Sequence, residues 1–398
     1  MGQPKIRITE LYLYPIKSLR PLSVPTAQLR REGLRYDRRF MLLKVEGGGR
    51  YKNIQTAYFP ECTLFHQVLD GDHVVVTYQI PAVPLFPPTL EQLGQLRVPL
   101  TPVYDESDVV DIKLFGSETT AYRVGEKYDE WFSSCFGYPV ILVYIGENRR
   151  RVLAHAPPAP PRPSKSWLAT VASYVPFTYQ WPPQEDPDSA EETDGGLTFN
   201  EAAPFLVTSK ASLRDVSARL PEGEDMDMIK FRPNIVVDLV PDHQSPPTPP
   251  STPTPDSPSD KEEVGEGNQT TTLNAWDEDF WSELSIGTSH HRLALTANCA
   301  RCISINIDYG AGRPGTGESG SILKALMKDR CVDVGNKWSP IFGRYAFLLP
   351  PAQAHNSSNS REPNDDDEEV DLVADVAVGD EVKVTRRISS RDVWAWPK

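Results

Sequence analysis

The sequence predicts a mainly β protein with a few helices, an α+β chain whose two β-rich blocks are of the barrel type rather than a doubly wound sheet. Many short runs read as strands, several of them bounded by Gly or Pro, whereas few segments show the 3.6-residue period of an amphipathic helix. The length of 398 residues is typical of two domains. The 38 prolines and a hydrophobic share of only 39% indicate ordered blocks separated by polar stretches.

The first block is predicted to consist of strands and one helix. Apolar and polar residues alternate in the first of four runs, and the other three are short runs rich in apolar residues, as expected of strands. These runs cover residues 5–16, 39–45, 73–79 and 139–144. A helix is predicted over 119–135, because four apolar side chains recur there at helical spacing and share one face. They are Tyr128, Trp131, Phe132 and Cys135.

The second block is predicted to combine strands with two short helices. Over residues 204–221 a strand leads directly into a helix, with Thr208 or Ser209 as the N-cap and Pro221 marking the end. Further strands are predicted over 230–240, 302–308 and 378–384, and a short helix near 321–329.

Three stretches lack the composition of a packed core. Residues 155–198 begin with prolines and end acidic, and we interpret them as a linker. Residues 242–272 and 353–371 are rich in polar residues, with proline or acids dominating, and we predict disordered inserts there. The predicted domains are an N-terminal β-barrel domain over 5–145 and a C-terminal β-barrel domain over 199–390, which the two inserts interrupt.

The acidity of the chain is confined to such stretches. The net charges are −6 for residues 181–196, −5 for 241–270 and −6 for 355–371. Their sum is more negative than the −14 of the whole chain by three units. The rest of the sequence is therefore net positive, and the folded part is able to attract an anion. A nucleic acid partner is not expected, because no basic stripe with interleaved aromatic residues is present.

Cysteine usage and hydropathy bear on the compartment. Cysteines at positions 62, 135, 299, 302 and 331 form an odd and sparse set, which argues against a secreted disulfide framework. No run of about 18 apolar residues is present, so no transmembrane segment is predicted. The first residues have neither an apolar core nor an Arg/Ser-rich leader. We expect a cytoplasmic protein, with a mitochondrial location as the alternative.

Cys299 and Cys302 form a C-x-x-C pair, C-A-R-C. A thioredoxin-like redox pair needs a strand-to-helix setting, and here the β-branched residues that follow predict a strand. Half of a zinc site is a second interpretation, but no second pair lies at a useful spacing. A third interpretation is that the two cysteines are simply small, half-buried side chains. Arg301 favours a functional thiol, since a neighbouring cation stabilises the thiolate that binds metals.

The first block offers groups that suit an anion. Lys17 and Ser18, in Y-P-I-K-S, combine an ammonium, a hydroxyl and backbone N–H groups at a strand end. A solvated lysine is the alternative. Arg38 follows Asp37 at the start of the second strand, where the alternative is a surface ion pair.

The second block contributes a similar set. Arg232 precedes Pro233, which predicts an extended backbone, and the Asn234 amide follows. Thr208 and Ser209 present hydroxyls at a helix N-terminus, where backbone N–H groups also bind anions, although ordinary capping explains them as well. We find no Rossmann glycine motif, P-loop, H-E-x-x-H or G-x-S-x-G motif that would compete with this set.

Five segments occur in the order of a known family. They read Y-P-I-K-S (14–18), G-L-R-Y-D-R-R-F (33–40), K-F-R-P-N-I-V-V (230–237), C-A-R-C-I-S-I-N-I-D (299–308) and P-I-F-G (340–343). In order and approximate spacing the sequence resembles the MOSC-domain family, in the branch with an N-terminal MOSC β-barrel domain that includes the mitochondrial amidoxime-reducing component. The resemblance covers most of residues 5–145 and 197–385.

The resemblance implies a cofactor, Mo-molybdopterin, between the two domains. Cys302 matches the family's molybdenum ligand and is therefore the expected metal ligand and catalytic residue. The family's contacts to the cofactor phosphate and pterin match Lys17, Ser18, Arg38, Thr208, Ser209, Arg232 and Asn234. Molybdenum would be held by two dithiolene sulfurs and one thiolate, with an exchangeable position left open.

The resemblance also implies an activity and partners. Such enzymes reduce N-hydroxylated compounds, amidoximes and hydroxylamines among them, so we expect a molybdopterin-dependent oxidoreductase. Its electrons would come from a separate donor, cytochrome b5 with its reductase, because no ferredoxin-type cysteines follow Cys331. The alternative is a non-catalytic module that binds or carries the molybdenum cofactor, as MOSC domains do in cofactor sulfurases. The pyridoxal-phosphate domain of those sulfurases is not recognised here.

Two loops depart from the family pattern. Where the family usually has an Arg-Gln pair, residues 53–60 read N-I-Q-T-A-Y-F-P. The common P-x-T-G that follows I-N-I-D is replaced by Y-G-A-G at 309–312. Both loops are expected to differ from those of the family.

Overall fold

The computed structural model describes residues 2–157, 195–242, 273–351 and 372–396. Its strands are β1 (Gly2–Leu13), β2 (Leu22–Ser23), β3 (Thr26–Arg30), β4 (Gly33–Leu34), β5 (Phe40–Glu46), β6 (Arg50–Asn53), β7 (Phe65–Asp70), β8 (His73–Tyr78), β9 (Gln95–Pro99), β10 (Val109–Leu114), β11 (Ser117–Arg123), β12 (Val140–Tyr144), β13 (Phe205–Ser209), β14 (Ile235–Asp242), β15 (Trp281–Ile286), β16 (His291–Ala300), β17 (Ile307–Asp308), β18 (Arg313–Pro314), β19 (Ile341–Leu349), β20 (Ala374–Ala377) and β21 (Val382–Arg387). The α-helices of these ranges are α1 (Glu126–Phe136), α2 (Lys210–Ser217) and α3 (Ile322–Leu326).

This inventory confirms the predicted mainly β class. Within the described ranges, no helix is long and apolar enough to cross a membrane. Most of the predicted linker and of the two predicted inserts lies outside the described residues.

Two antiparallel sheets surround the first hydrophobic core. Five strands lie in the order β10-β11-β12-β5-β6, and β7, β8 and β9 form a three-stranded meander. Helix α1 packs Trp131, Phe132 and Phe136 against Phe65 of β7, with ring centroids 6.0, 5.6 and 4.7 Å from that ring. Aromatic side chains bury large areas, and this cluster ties the helix to the meander.

The second core lies inside a curled eight-stranded sheet, in the order β2-β1-β14-β13-β19-β16-β15-β21. The ends of the sheet approach each other. The Ile8 N–H donates to the Asp380 carbonyl at 2.9 Å, and the Gly379 N–H donates to the Ile8 carbonyl at 2.8 Å. These bonds join β1 to the turn before β21, so the sheet closes on itself in the manner of a barrel and protects its edge.

The first strand contributes to the second core rather than to the first. In β1, Lys5 lies opposite Val240 and Leu11 opposite Ile235 of β14. The chain then leaves this core after Leu13 and enters the first core at Ile16. Residues 14–18 therefore form the passage between the two cores, which places the Y-P-I-K-S segment at their junction.

The helix predicted over 119–135 is correct only in its second part. Residues 117–123 form β11, which pairs with β10 along its whole length. The helix begins at Glu126, directly after Gly125, whose φ of 140° interrupts the regular backbone. Two adjacent threonines in β11 favour the strand, because β-branched side chains pack well on a pleated surface.

Two predicted strands are shorter than expected. Within 302–308 only Ile307–Asp308 is a strand, because a 3-10 turn over Ile303–Asn306 precedes it. This turn buries Ile305 and leaves Ile303 half exposed, whereas a strand would place both side chains on the same face. Within 230–240 the strand starts at Ile235, after a 3-10 turn that ends at Phe231.

Candidate functional site

A cleft draws its walls from five separate segments of the chain. Four residues that the sequence singled out line this cleft: Arg38, Arg232, Asn234 and Cys302. Glu201, Lys230, Arg301 and Tyr345 line it as well. The structure thus brings together residues that lie up to about three hundred positions apart.

Arg38 and Arg232 share one aromatic ring. The guanidinium carbons lie 4.3 and 4.5 Å from the centroid of the buried Tyr14 ring, within cation–π distance. Both arginines have a left-handed backbone, with φ of 50° and 54°. Residues other than glycine rarely adopt this conformation, and it concentrates at functional sites. The ring of the tyrosine in Y-P-I-K-S therefore contacts two cations.

The extended backbone predicted for Arg232 is wrong. In the left-handed conformation the Arg232 N–H closes a turn on the Ile229 carbonyl at 3.1 Å, and Nη1 reaches the Leu19 carbonyl at 3.1 Å. These contacts outweigh the preference that Pro233 imposes on the residue before it.

Asp37 is buried and connects Arg38 to neighbouring segments of the chain. Its side chain is buried and forms an ion pair with Arg38. It also accepts hydrogen bonds from the Tyr14 N–H at 2.8 Å and from Asn234 Nδ2 at 3.2 Å. Asn234 Oδ1 accepts in turn from the Leu206 N–H at 3.3 Å. The ion pair that the sequence analysis considered as a surface pair is therefore buried. Removing one partner of a buried ion pair leaves the other charge uncompensated, which is strongly destabilising.

Lys17 is buried, so the alternative of a solvated lysine is wrong. Its exposed fraction is 5%, and Nζ donates to the Phe199 carbonyl at 2.8 Å. Burial lowers the pKa of Lys17 to about 7, Glu201 opposes this shift, and Arg38 adds to it. Ser18 follows with φ of 73°, and its hydroxyl donates to a backbone carbonyl at 2.9 Å.

Thr208 and Ser209 lie outside the lining of the cleft, and both are fully buried. Ser209 caps α2 as predicted, since its Oγ accepts from the Ser212 N–H at 3.1 Å. The same hydroxyl donates to Glu278 Oε2 at 3.0 Å. The Thr208 hydroxyl faces a methionine sulfur at 3.4 Å. A role of these two residues in cofactor binding stays a prediction.

Replacing Glu278 with glutamine is expected to stabilise the protein at alkaline pH. Glu278 is fully buried, its Oε1 has no hydrogen-bond partner among the described residues, and burial raises its pKa from 4.5 to about 7. A raised carboxyl pKa means that the folded state holds the proton more tightly, so stability falls as pH rises from 4.5 through 7. The free energy of unfolding of Glu278→Gln should therefore gain about 3 kcal/mol over wild type between about pH 4.5 and pH 8.

Urea unfolding at the two pH values measures this gain. Glu118→Gln, at an exposed glutamate paired with Lys113, is the matched control and should show no such pH-dependent difference. Identical pH slopes for Glu278→Gln and wild type would contradict the assigned burial cost.

Cys302 is the exposed member of the C-x-x-C pair. Its Sγ lies 3.2 Å from the Ser304 hydroxyl, at the cleft. Cys299 lies in β16 and is buried, and burial raises its pKa to about 11 although the charge of Arg301 acts in the opposite direction. A strand end followed by a 3-10 turn is not the strand-to-helix setting of a thioredoxin-like pair.

The zinc interpretation gains no support from the part of the chain that the structure describes. No group of three or more His, Cys, Asp or Glu side chains in it is placed to hold a metal ion. Structural zinc is almost always held by four protein ligands. Cys302 therefore suits a metal whose other ligands come from a cofactor.

Sequence reasoning missed Glu201 and Tyr345, and it considered Arg301 only for its effect on the thiols. The Tyr345 hydroxyl donates to Glu201 Oε2 at 3.3 Å. Burial alone would raise the pKa of Glu201, but the charges of Lys17, Arg301 and two further arginines outweigh it, and the pKa is lowered. No local pattern marks this glutamate, because all of these partners come from distant parts of the chain.

The charges around the cleft suit an anionic ligand. Arg301 donates to the carbonyls of Phe231 and Phe342 at 2.7 and 2.6 Å, and Arg232 likewise donates to a backbone carbonyl. Among the described residues neither guanidinium forms a salt bridge with a carboxylate. Arginine binds phosphate through bidentate, charge-assisted hydrogen bonds. An exposed thiol beside such cations fits a phosphate-bearing cofactor with a thiophilic metal.

Comparisons with known proteins find two matching domains. Residues 5–139 match the model of the MOSC N-terminal beta barrel domain, and residues 194–248 and 265–383 match that of the MOSC domain. The chain is 25% identical over 358 residues to mitochondrial amidoxime-reducing component 1 of Danio rerio, covering 87% of this chain and 82% of the relative. It is 24% identical over 353 residues to the protein of that name from Homo sapiens, covering 86% and 79%.

A second group of relatives is longer. The chain is 24% identical over 385 residues to a molybdenum cofactor sulfurase of Aspergillus clavatus, covering 87% of this chain but only 38% of the relative. Together the two domain matches account for most of the chain, and they confirm the resemblance that the five motifs indicated. The chain belongs to the MOSC-domain proteins that carry an N-terminal MOSC β-barrel domain.

Proposed function

We propose that this protein binds a molybdopterin cofactor and reduces N-hydroxylated compounds such as amidoximes and hydroxylamines. The observation that carries the proposal is the position of Cys302, an exposed thiol in a cleft where Arg232 and Arg301 have no carboxylate partner among the described residues. The relatives named mitochondrial amidoxime-reducing component, which align over most of their length, support the reaction class.

The cofactor-binding residues fall into two groups by their contacts. Cys302 would ligate molybdenum through its thiolate, a soft ligand suited to this metal. Lys17, Arg38 and Arg232 would hold the cofactor phosphate with charge-assisted hydrogen bonds. The second group would shape the site, because their side chains are uncharged and already bond within the protein. These residues are Ser18, Thr208, Ser209 and Asn234.

The protein's part in the reaction is to bind, orient and supply charge. When bound, the cofactor supplies the two-electron reduction of the N–O bond, which consumes two protons and releases water. The cations of the cleft would keep the cofactor in place, and the Cys302 thiolate would ligate its metal. The resemblance that supports this activity also implies a separate electron donor, and we propose cytochrome b5 with its reductase.

Metal analysis and a substrate screen test the proposal. The protein is purified from a host that makes molybdopterin, its molybdenum content is measured, and reduction of benzamidoxime is assayed with a chemical reductant. Near-stoichiometric molybdenum with turnover would support it. Molybdenum without turnover on any N-hydroxylated compound would favour a cofactor-carrying module, which the match to a cofactor sulfurase suggests. Protein without molybdenum would contradict both.

Cofactor retention is expected to weaken as pH rises above about 7. The buried Lys17 ammonium loses its charge in this range, because its pKa is lowered to about 7. An anion that binds the charged form raises this pKa, so the affinity should fall by up to about tenfold per pH unit until the pKa of the complex is reached. Molybdenum retained after dialysis at about pH 7 and about pH 9 measures the effect.

Two variants test whether Lys17 causes this pH dependence. Lys17→Met should bind weakly at both pH values and lose most of the pH dependence. Lys113→Met, at an exposed lysine paired with Glu118, should behave as wild type. An unchanged pH dependence in Lys17→Met would contradict the assignment of the titration to this residue.

A further inference from the structure

We infer that Glu201 is a specificity-determining residue that binds the N–H groups of the substrate beside the reacting N–O bond. The inference rests on the proposed function and deepens it. It assigns preference for amidoximes and related N-hydroxylated amidines, which carry N–H donors, to a single carboxylate.

The position of Glu201 supports this role. It lines the same cleft as Cys302, and its side chain is partly exposed there. Oε2 accepts a hydrogen bond from the Tyr345 hydroxyl, which is almost fully buried and therefore fixed. Within the described residues no group hydrogen-bonds to Oε1. The carboxylate is thus oriented from one side and open on the other.

The charge of Glu201 is the second observation. It is the one acid among the described residues that line the cleft, and it faces the positive charges of Lys17, Arg38, Arg232 and Arg301. A negative charge at this position weakens the attraction of the cleft for a phosphate. A cleft that served only to hold an anion would gain from a neutral residue here, so the carboxylate indicates a second ligand of opposite character.

N–H donors are the partners that a free carboxylate binds best. A carboxylate can accept two parallel hydrogen bonds from an amidine group, and charge-assisted bonds of this kind are about twice as strong as neutral ones. A hydroxylamine without N–H groups cannot form them. The surrounding cations would repel an amidinium, so binding of such a ligand should require that the cofactor's anionic groups occupy the cleft.

The test compares two substrates and one product in the molybdenum-loaded protein. Glu201→Gln should raise the KM for benzamidoxime about 10- to 100-fold, the range for loss of a hydrogen bond to a charged group, with kcat changed less than about threefold. The KM for N,N-diethylhydroxylamine, which has no N–H, should change less than about threefold. Benzamidine binding, measured by calorimetry, should weaken by the same factor as the KM for benzamidoxime.

Matched variants and metal analysis complete the design. Tyr345→Phe, which removes only the orienting hydroxyl, should show a smaller effect in the same direction, and Glu222→Gln at an exposed loop should show none. Equal KM changes for both substrates, no change for either, or loss of molybdenum from Glu201→Gln would overturn the inference. If wild type reduces neither compound, the proposed function fails, and calorimetry with benzamidine still decides whether Glu201 binds an amidine.

Discussion

Replacing Cys302 with alanine is expected to lower the molybdenum content of the purified protein more than about 100-fold and to abolish reduction of N-hydroxylated substrates. Loss of a group that merely supports a metal ligand typically costs 10- to 100-fold in affinity, and loss of the ligand itself should cost more. The described residues place no second cluster of ligands that could replace this thiol. Elemental analysis and a benzamidoxime assay on both proteins measure the effect.

A variant of another cysteine and a second variant of Cys302 provide the controls for this experiment. Cys331→Ala removes a partly exposed thiol that does not line the cleft and should leave metal content and activity unchanged. Cys302→Ser keeps the size of the side chain but replaces the soft sulfur with oxygen, so it should lose molybdenum as well. Metal retained in Cys302→Ala would show that contacts to the phosphate are sufficient and would favour the carrier function. Full activity in Cys302→Ser would rule out the proposed ligand.

Replacing Asp37 with alanine is expected to destabilise the fold by about 3–5 kcal/mol, the cost of removing one partner from a buried ion pair. The variant leaves the buried Arg38 guanidinium without its carboxylate and the Tyr14 N–H without its acceptor. Arg38, one of the two arginines beside the Tyr14 ring, would also lose its negative neighbour, so cofactor content should fall. Urea unfolding near neutral pH measures the stability change.

An exposed aspartate serves as the comparison. Asp72→Ala removes an exposed carboxylate that pairs with His73, and the free energy of unfolding should stay within about 0.5 kcal/mol of wild type. Asp37→Asn, which keeps the acceptor for the Tyr14 N–H but not the charge, should fall between the two. A destabilisation of Asp37→Ala no larger than that of Asp72→Ala would show that water or a neighbouring group compensates Arg38.

Much of the fold followed from local patterns. Alternation of apolar and polar residues identified the strand around residues 5–16, because a half-buried sheet imposes a period of two on its sequence, and short apolar runs identified the strands around residues 73–79 and 139–144. The N-cap at Ser209 was also predictable, since a serine before a helical period satisfies backbone N–H groups within the same turn. Both signals involve only neighbours in sequence.

The errors arose where a local pattern had two physical solutions. The run I-S-I-N-I alternates as a strand does, but the chain forms a 3-10 turn there, which buries Ile305 and exposes Ile303. Residues 119–123 fit the helical period, yet pairing with β10 and the conformation of Gly125 made them a strand. Tertiary contacts decide between such solutions, because intrinsic propensities differ by less than the energy of packing.

By itself, the sequence determined the β-rich class, the family motifs and the identities of Cys302, Arg38, Arg232 and Lys17 as candidates. Only the tertiary structure decided that the first strand joins the second core, that Tyr14 carries both arginines, and that Glu201 faces them. The reason is physical. Periodicity and residue chemistry act between near neighbours, whereas strand pairing and charge clusters depend on which distant segments meet when the sheet closes.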